Sequence, residues 1–128
     1  MILDSSAVIA VVFREKPHER LEELLAEAGS VAIGAPTLFE TAMVALGRMG
    51  TEGEVLVERF LEDLKVNVLP FGEQHWEAAT DAFVRFGKGR HPAVLNFGDC
   101  MSYATAQIAG EPLLFVGNDF ARTDIAPA

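Results

Sequence analysis

Four short apolar runs, at residues 2–4, 31–35, 66–69 and 113–116, alternate with segments whose apolar residues recur at helical spacing, and this leaves few folds open. The runs are continuously apolar instead of alternating between apolar and polar, which is the pattern of strands covered on both faces. Buried strands separated by helices predict a parallel sheet, and so a three-layer α/β/α sandwich with one central parallel sheet. A chain of 128 residues with half of them hydrophobic can build this as one domain over residues 1–128, without disulfides or a structural metal. No internal repeat, low-complexity segment or linker interrupts it.

Helices are expected at residues 7–13, at 16–28 with Pro17 near the start, and from Pro36 to about Met49. Further helices are expected at residues 51–64 and 73–86, and in a segment that Asp99 opens and Gly110 closes. Thr37 with Glu40, and Thr51 with Glu54, have the spacing of capping boxes. Val55, Leu56, Phe60, Leu61 and Leu64 read as one buried face. Trp76, Ala79, Phe83 and Phe86 read as another, and Phe97 and Tyr103 also read as core. Gly98 reads as a tight turn before Asp99, and the tail after Ile125 as a frayed end.

The net charge of −9 disfavours a protein that coats nucleic acid, because that affinity comes from Lys and Arg releasing counterions. It suits converging carboxylates that a divalent cation neutralises, or a basic protein partner. The single cysteine, Cys100, lies in an apolar helical pattern and reads as a small core residue in a reducing compartment. The apolar stretch 7–13 is too short to span a membrane and no basic region precedes it, so a mature, soluble, cytoplasmic protein is expected.

In open parallel sheets, ligands bind beyond the carboxyl ends of the strands. Four acids fall at such places. Asp4 ends the first run, Glu40 lies in the first turn after the second, Asp99 opens the helix before the last, and Asp119 follows that last run. Each acid except Asp4 has an ordinary structural role open to it. Glu40 could complete a capping box, Asp99 could complement a helix dipole, and Asp119 with Asn118 could form a turn. Asp4 is harder to place so, because an acid directly after a buried strand needs partners or a cleft. Four convergent carboxylates repel one another unless a hard cation such as Mg²⁺ or Mn²⁺ sits among them. Such ions support in-line phosphoryl displacement by water. Lys88, Arg90 and His91 form a basic run ahead of Asp99 that could hold a phosphate backbone or simply be solvated. His18 and His75 are expected in solvent.

Several stretches together resemble one family. They are Asp4-Ser5-Ser6-Ala7, Pro36-Thr37-Leu38-Phe39-Glu40, Gly87-Lys88-Gly89-Arg90-His91-Pro92 leading to Leu95-Asn96-Phe97-Gly98-Asp99-Cys100, and Gly117-Asn118-Asp119-Phe120. In this order they resemble the PIN-domain ribonucleases, specifically toxins of the VapC type. The resemblance implies a Mg²⁺- or Mn²⁺-dependent endoribonuclease, the toxin of a type II toxin-antitoxin pair. It also implies a homodimer held inactive by a VapB-like antitoxin in a larger assembly. By the same resemblance Asp4, Glu40, Asp99 and Asp119 form the acidic quartet, with Asn118 and Asp124 close to the fourth position, and Ser6 orients a ligand or water. Lys88 and Arg90 are assigned to the RNA substrate. Two readings compete: a Mg²⁺-binding receiver-type signalling domain, and a non-catalytic module for a basic peptide. The first lacks an acceptor Asp after the third run, which ends in Leu69 and Pro70, and no Lys follows Lys88.

Overall fold

A computed structural model describes residues 1–128. The elements are β1 (Ile2–Leu3), α1 (Ser5–Val12), α2 (His18–Glu27), β2 (Ala32–Gly34), α3 (Ala35–Met49), α4 (Thr51–Asp63), β3 (Asn67–Leu69), α5 (Glu73–Phe86), α6 (Phe97–Ala109) and β4 (Leu113–Leu114). The strands pair in parallel in the order β3-β2-β1-β4. Successive strand residues point to opposite faces, and both faces are apolar because both are covered. Ile2 and Leu113 enter a core with Ala82, Phe86, Leu95 and Tyr103. Leu3, Ile33 and Leu114 enter the opposite core with Val8, Leu21, Leu25 and Phe60. Helices α5 and α6 therefore cover one face and α1, α2 and α4 the other, which is the three-layer sandwich expected. Helix α3 packs on α1 and α4 and also touches α6.

Both expected capping boxes are absent. Helix α3 starts at Ala35, so Thr37 lies inside it, buried, with its hydroxyl 3.2 Å from that of Ser102. Helix α4 follows α3 through Gly50 alone, which holds φ +61 and serves as C-cap of one helix and N-cap of the next, leaving Thr51 already helical. The buried face of α4 is Gly53, Val57 and Phe60, whereas Val55 is exposed. A Cβ at Gly53 would stand 2.3 Å from the Ala45 carbonyl oxygen, so α3 and α4 approach there backbone to backbone. Gly53→Ala should therefore cost about 2 kcal/mol, outweighing the better helix propensity of Ala. A urea unfolding midpoint equal to or above that of the parent would contradict this.

Strand β4 is shorter than its apolar run because the Val116 amide leaves the ladder and donates to the Ser6 hydroxyl at 3.0 Å. Strand β3 lies on the sheet edge, which leaves Val68 half exposed. The C-terminal tail is not frayed. Leu113 donates to the Ala126 carbonyl and Ala128 donates to that of Leu113, both at 2.9 Å, so the tail covers the free edge of β4. No helix is long and apolar enough to cross a membrane.

Candidate active site

Asp4 leaves β1 as the N-cap of α1 and is 4% exposed. A carboxylate so buried needs donors, and it has them. The Ser6 amide and hydroxyl donate to Oδ2 at 3.1 and 2.5 Å, and the Ser102 hydroxyl donates to Oδ1 at 2.6 Å. Ser6 thus orients a carboxylate and ties it to the chain leaving β4. Thr37 extends the network through Ser102. The sequence does not single out Ser102, and it gives Thr37 only the role of a helix cap. The available signal was a serine three residues after Asp99 in an otherwise apolar helix, where a buried hydroxyl must find a partner.

Asp99 is the third residue of α6 and 8% exposed. Its amide donates to Asn96 Oδ1 at 2.9 Å while its own Oδ2 accepts from the Asn96 amide at 3.0 Å. This reciprocal cap fixes the side chain over the first turn. Burial pushes its carboxyl up to about 7; the Asn96 amide opposes the shift, and the nearby charges of Asp119, Asp4 and Glu40 add to it. Those three acids are therefore the charged neighbours Asp99 feels. Glu40, half-buried on α3, reaches across to α6. A Cβ on Gly98 would lie 2.3 Å from Glu40 Oε2. Gly98 is thus needed for this close approach and not for a turn, since it lies within the helix. Asp119 is exposed after β4.

No Lys or Arg forms an ion pair with any of the four. Hard divalent cations take oxygen donors of this kind, and the uncompensated charge favours one. The side chains as they stand do not gather three ligands around a single point. Asp4 and Asp99 direct three of their four oxygens to Ser6, Ser102 and the Asn96 amide. Asp4 Oδ2 accepts both Ser6 bonds, but Asp4 Oδ1 and Asp99 Oδ2 each accept only one and so keep a lone pair for a cation. In the chemistry of its donors the set fits such a cation.

Asp124 belongs elsewhere. It accepts from the Tyr103 hydroxyl at 2.5 Å and from Arg85 at 2.8 Å, and these bonds hold its carboxyl below the usual range. Asn118 is exposed in the turn before Asp119.

The basic run is a loop whose ends join through a bridge between Gly87 and Leu95, with the Lys88 amide donating to Leu95 at 2.9 Å. This sets the loop beside the segment entering Asn96 and α6. Lys88 and Arg90 are exposed, and the Arg90 guanidinium lies 5.4 Å over the Phe83 ring. His91 instead secures the loop: its Nδ1 accepts from the Ala93 amide and its ring meets Phe86 edge-on. His75 likewise accepts from the Gly72 amide, and His18 faces Glu22. Cys100, Tyr103 and Phe86 are core as expected, but Phe97 is 78% exposed, Trp76 56% and Phe83 40%. Trp76 and Phe83 share a stripe of α5 with Ala79 and Phe86, which are buried, and with Phe97 of α6 they border a groove.

A family model described as the PIN domain matches residues 1–126. VapC ribonuclease Mb2004c of Mycobacterium bovis and ribonuclease VapC36 of Mycobacterium tuberculosis are each 48% identical over 126 residues, 98% of this chain and 91% of theirs. Among solved structures, Mycobacterium tuberculosis VapC20, described as a toxin cleaving the sarcin-ricin loop, aligns with a TM-score of 0.80 at 20% identity, covering 99% of this chain and 97% of that one. VapBC2 of Rickettsia felis, bound to a DNA fragment from its promoter, aligns with a TM-score of 0.78 at 13% identity, covering 98% and 94%. At such identities the structures speak to the fold alone.

Proposed function

The chain belongs to the PIN-domain family, and on that premise we propose that it is an endoribonuclease, the toxin of a VapBC-type pair, that hydrolyses RNA phosphodiesters with a divalent cation. The relatives named VapC ribonuclease, which match nearly the whole chain, support the activity. The observation that carries the chemistry is Asp99, whose carboxyl is pushed up to about 7 among three other carboxylates with no basic partner. We assign Asp4, Glu40, Asp99 and Asp119 to holding Mg²⁺ or Mn²⁺. When bound, the cation supplies activation of a water molecule and neutralises charge developing on the phosphate.

The chain's own residues do the rest. Ser6 and Ser102 lock the Asp4 carboxylate by donating to its two oxygens. The Asn96 amide holds one oxygen of Asp99, which must give up its proton before it can serve as a full anion. Lys88 and Arg90, exposed and free of ion pairs, are assigned to the RNA backbone as point charges that position without reading sequence.

A VapB-like antitoxin is the partner this reading requires, and fold relatives that are VapBC assemblies support it. Helix α3 exposes Phe39, Met43 and Leu46 at positions i, i+4 and i+7, an apolar stripe that supports the homodimer by offering a face for a second chain to cover. The receiver-type alternative is not favoured, since the family is another one.

Purified protein should cut single-stranded RNA in Mg²⁺, stop on addition of EDTA, and recover when Mg²⁺ or Mn²⁺ is returned in excess. Cutting that continues undiminished in EDTA removes the cation from the account.

A further inference from the structure

Helices α5 and α6 leave a groove of about 370 Å³ open to solvent, within the size range of small-ligand sites. Trp76 and Phe83 of α5 form one wall, and Phe97, Cys100 and Met101 of α6 form the other. Three exposed aromatic rings in one groove are not accounted for by the core. We propose that this groove is a nucleobase subsite, in which unpaired bases of the RNA strand next to the scissile phosphate stack on Phe97, Phe83 and Trp76.

Two features favour an RNA strand over a protein segment as the occupant. The groove and the candidate active site share a helix, because Phe97, Cys100 and Met101 line the groove from the first turns of α6, the same turns that carry Asp99. Its rim is also cationic. Arg90 lies over Phe83, Lys88 shares its loop, and neither is neutralised by an acid. That combination of ring faces for bases with guanidinium and ammonium for phosphates is how proteins hold single strands without reading their sequence. The inference rests on the ribonuclease reading and names where the substrate lies.

Trp76 is the only tryptophan in the chain, so its fluorescence reports on the groove alone. Titrating the protein in EDTA with a single-stranded uridine oligonucleotide should quench Trp76 saturably, while an RNA duplex of the same length should not. Phe97→Ala, at a site 78% exposed and so without a role in the core, should weaken that binding about tenfold, the usual loss when one stacked ring is removed. Absence of quenching, equal quenching by the duplex, or unchanged affinity in Phe97→Ala overturns the proposal. So does a change in Trp76 emission that follows protein concentration and ignores RNA, which would place a second copy in the groove. Quenching without any cleavage by the parent protein in Mg²⁺ removes the ribonuclease reading and leaves a strand-binding groove; cleavage without quenching does the reverse.

Discussion

Asp99→Asn is expected to lose RNA cleavage by about a thousandfold, the scale for removing one electrostatic group from a catalytic centre, and yet to unfold at a higher temperature than the parent above pH 7. The shape of Asn is close to that of Asp, and its side-chain oxygen still accepts from the Asn96 amide, so the cap on α6 survives. What changes is charge. The folded-state value of Asp99 is raised from 3.8 to about 7, so between these the folded protein keeps a proton that the unfolded chain gives up. The parent therefore loses stability as pH rises from about 4 to about 7, and the loss levels off above that. Asn carries no such ionisation. The gap in stability between variant and parent should open across that window and be widest above it, as followed by thermal unfolding at several pH values. Added Mg²⁺ should narrow the gap, since the cation stabilises the parent's folded state more than the variant's. A gap independent of pH would mean that Asp99 is not held among uncompensated acids.

Gly98→Ala is expected to reduce cleavage by about a hundredfold with little change in thermal stability, because it displaces one carboxylate by an ångström or more. The added Cβ would stand 2.3 Å from Glu40 Oε2, the free end of a flexible side chain that can swing aside. Gly98 lies within α6, where Ala is the better helix former, so the backbone should gain what the displaced Glu40 loses. The effect should run through Glu40. Combining Gly98→Ala with Glu40→Ala should be no worse than Glu40→Ala alone, whereas losses that multiply would show that Gly98 acts by another route.

The sheet was legible because β1, β2 and β4 are covered on both faces: Ile2 and Leu3 go to opposite cores and are both apolar, so the run announces itself. The placing of the acids followed from that topology, since Asp4 and Asp119 lie just past β1 and β4. Helix starts were less legible. Thr37 and Thr51 have the spacing of caps, but Gly34 and Gly50 cap those helices through backbone conformation alone, which residue spacing does not encode. The support for Asp4 was hidden for a different reason. Ser102 lies 98 residues away along the chain, and only the folded packing of α6 on β1 brings the two together. Exposure of the aromatics was misjudged because helical spacing groups Trp76, Ala79 and Phe83 on one stripe without saying which way the stripe faces. In the fold Ala79 turns to the core while its larger neighbours border the groove.

The central claim is that carboxylates at the end of this sheet direct water at an RNA phosphodiester. It is tested most directly by incubating end-labelled single-stranded RNA in Mg²⁺ with the parent and with Asp99→Asn protein purified side by side, and by identifying the product ends. The account predicts cuts by the parent alone, with ends free of 2′,3′-cyclic phosphate because water and not the 2′-hydroxyl attacks. Equal cutting by the two proteins, or cyclic-phosphate ends, would contradict it.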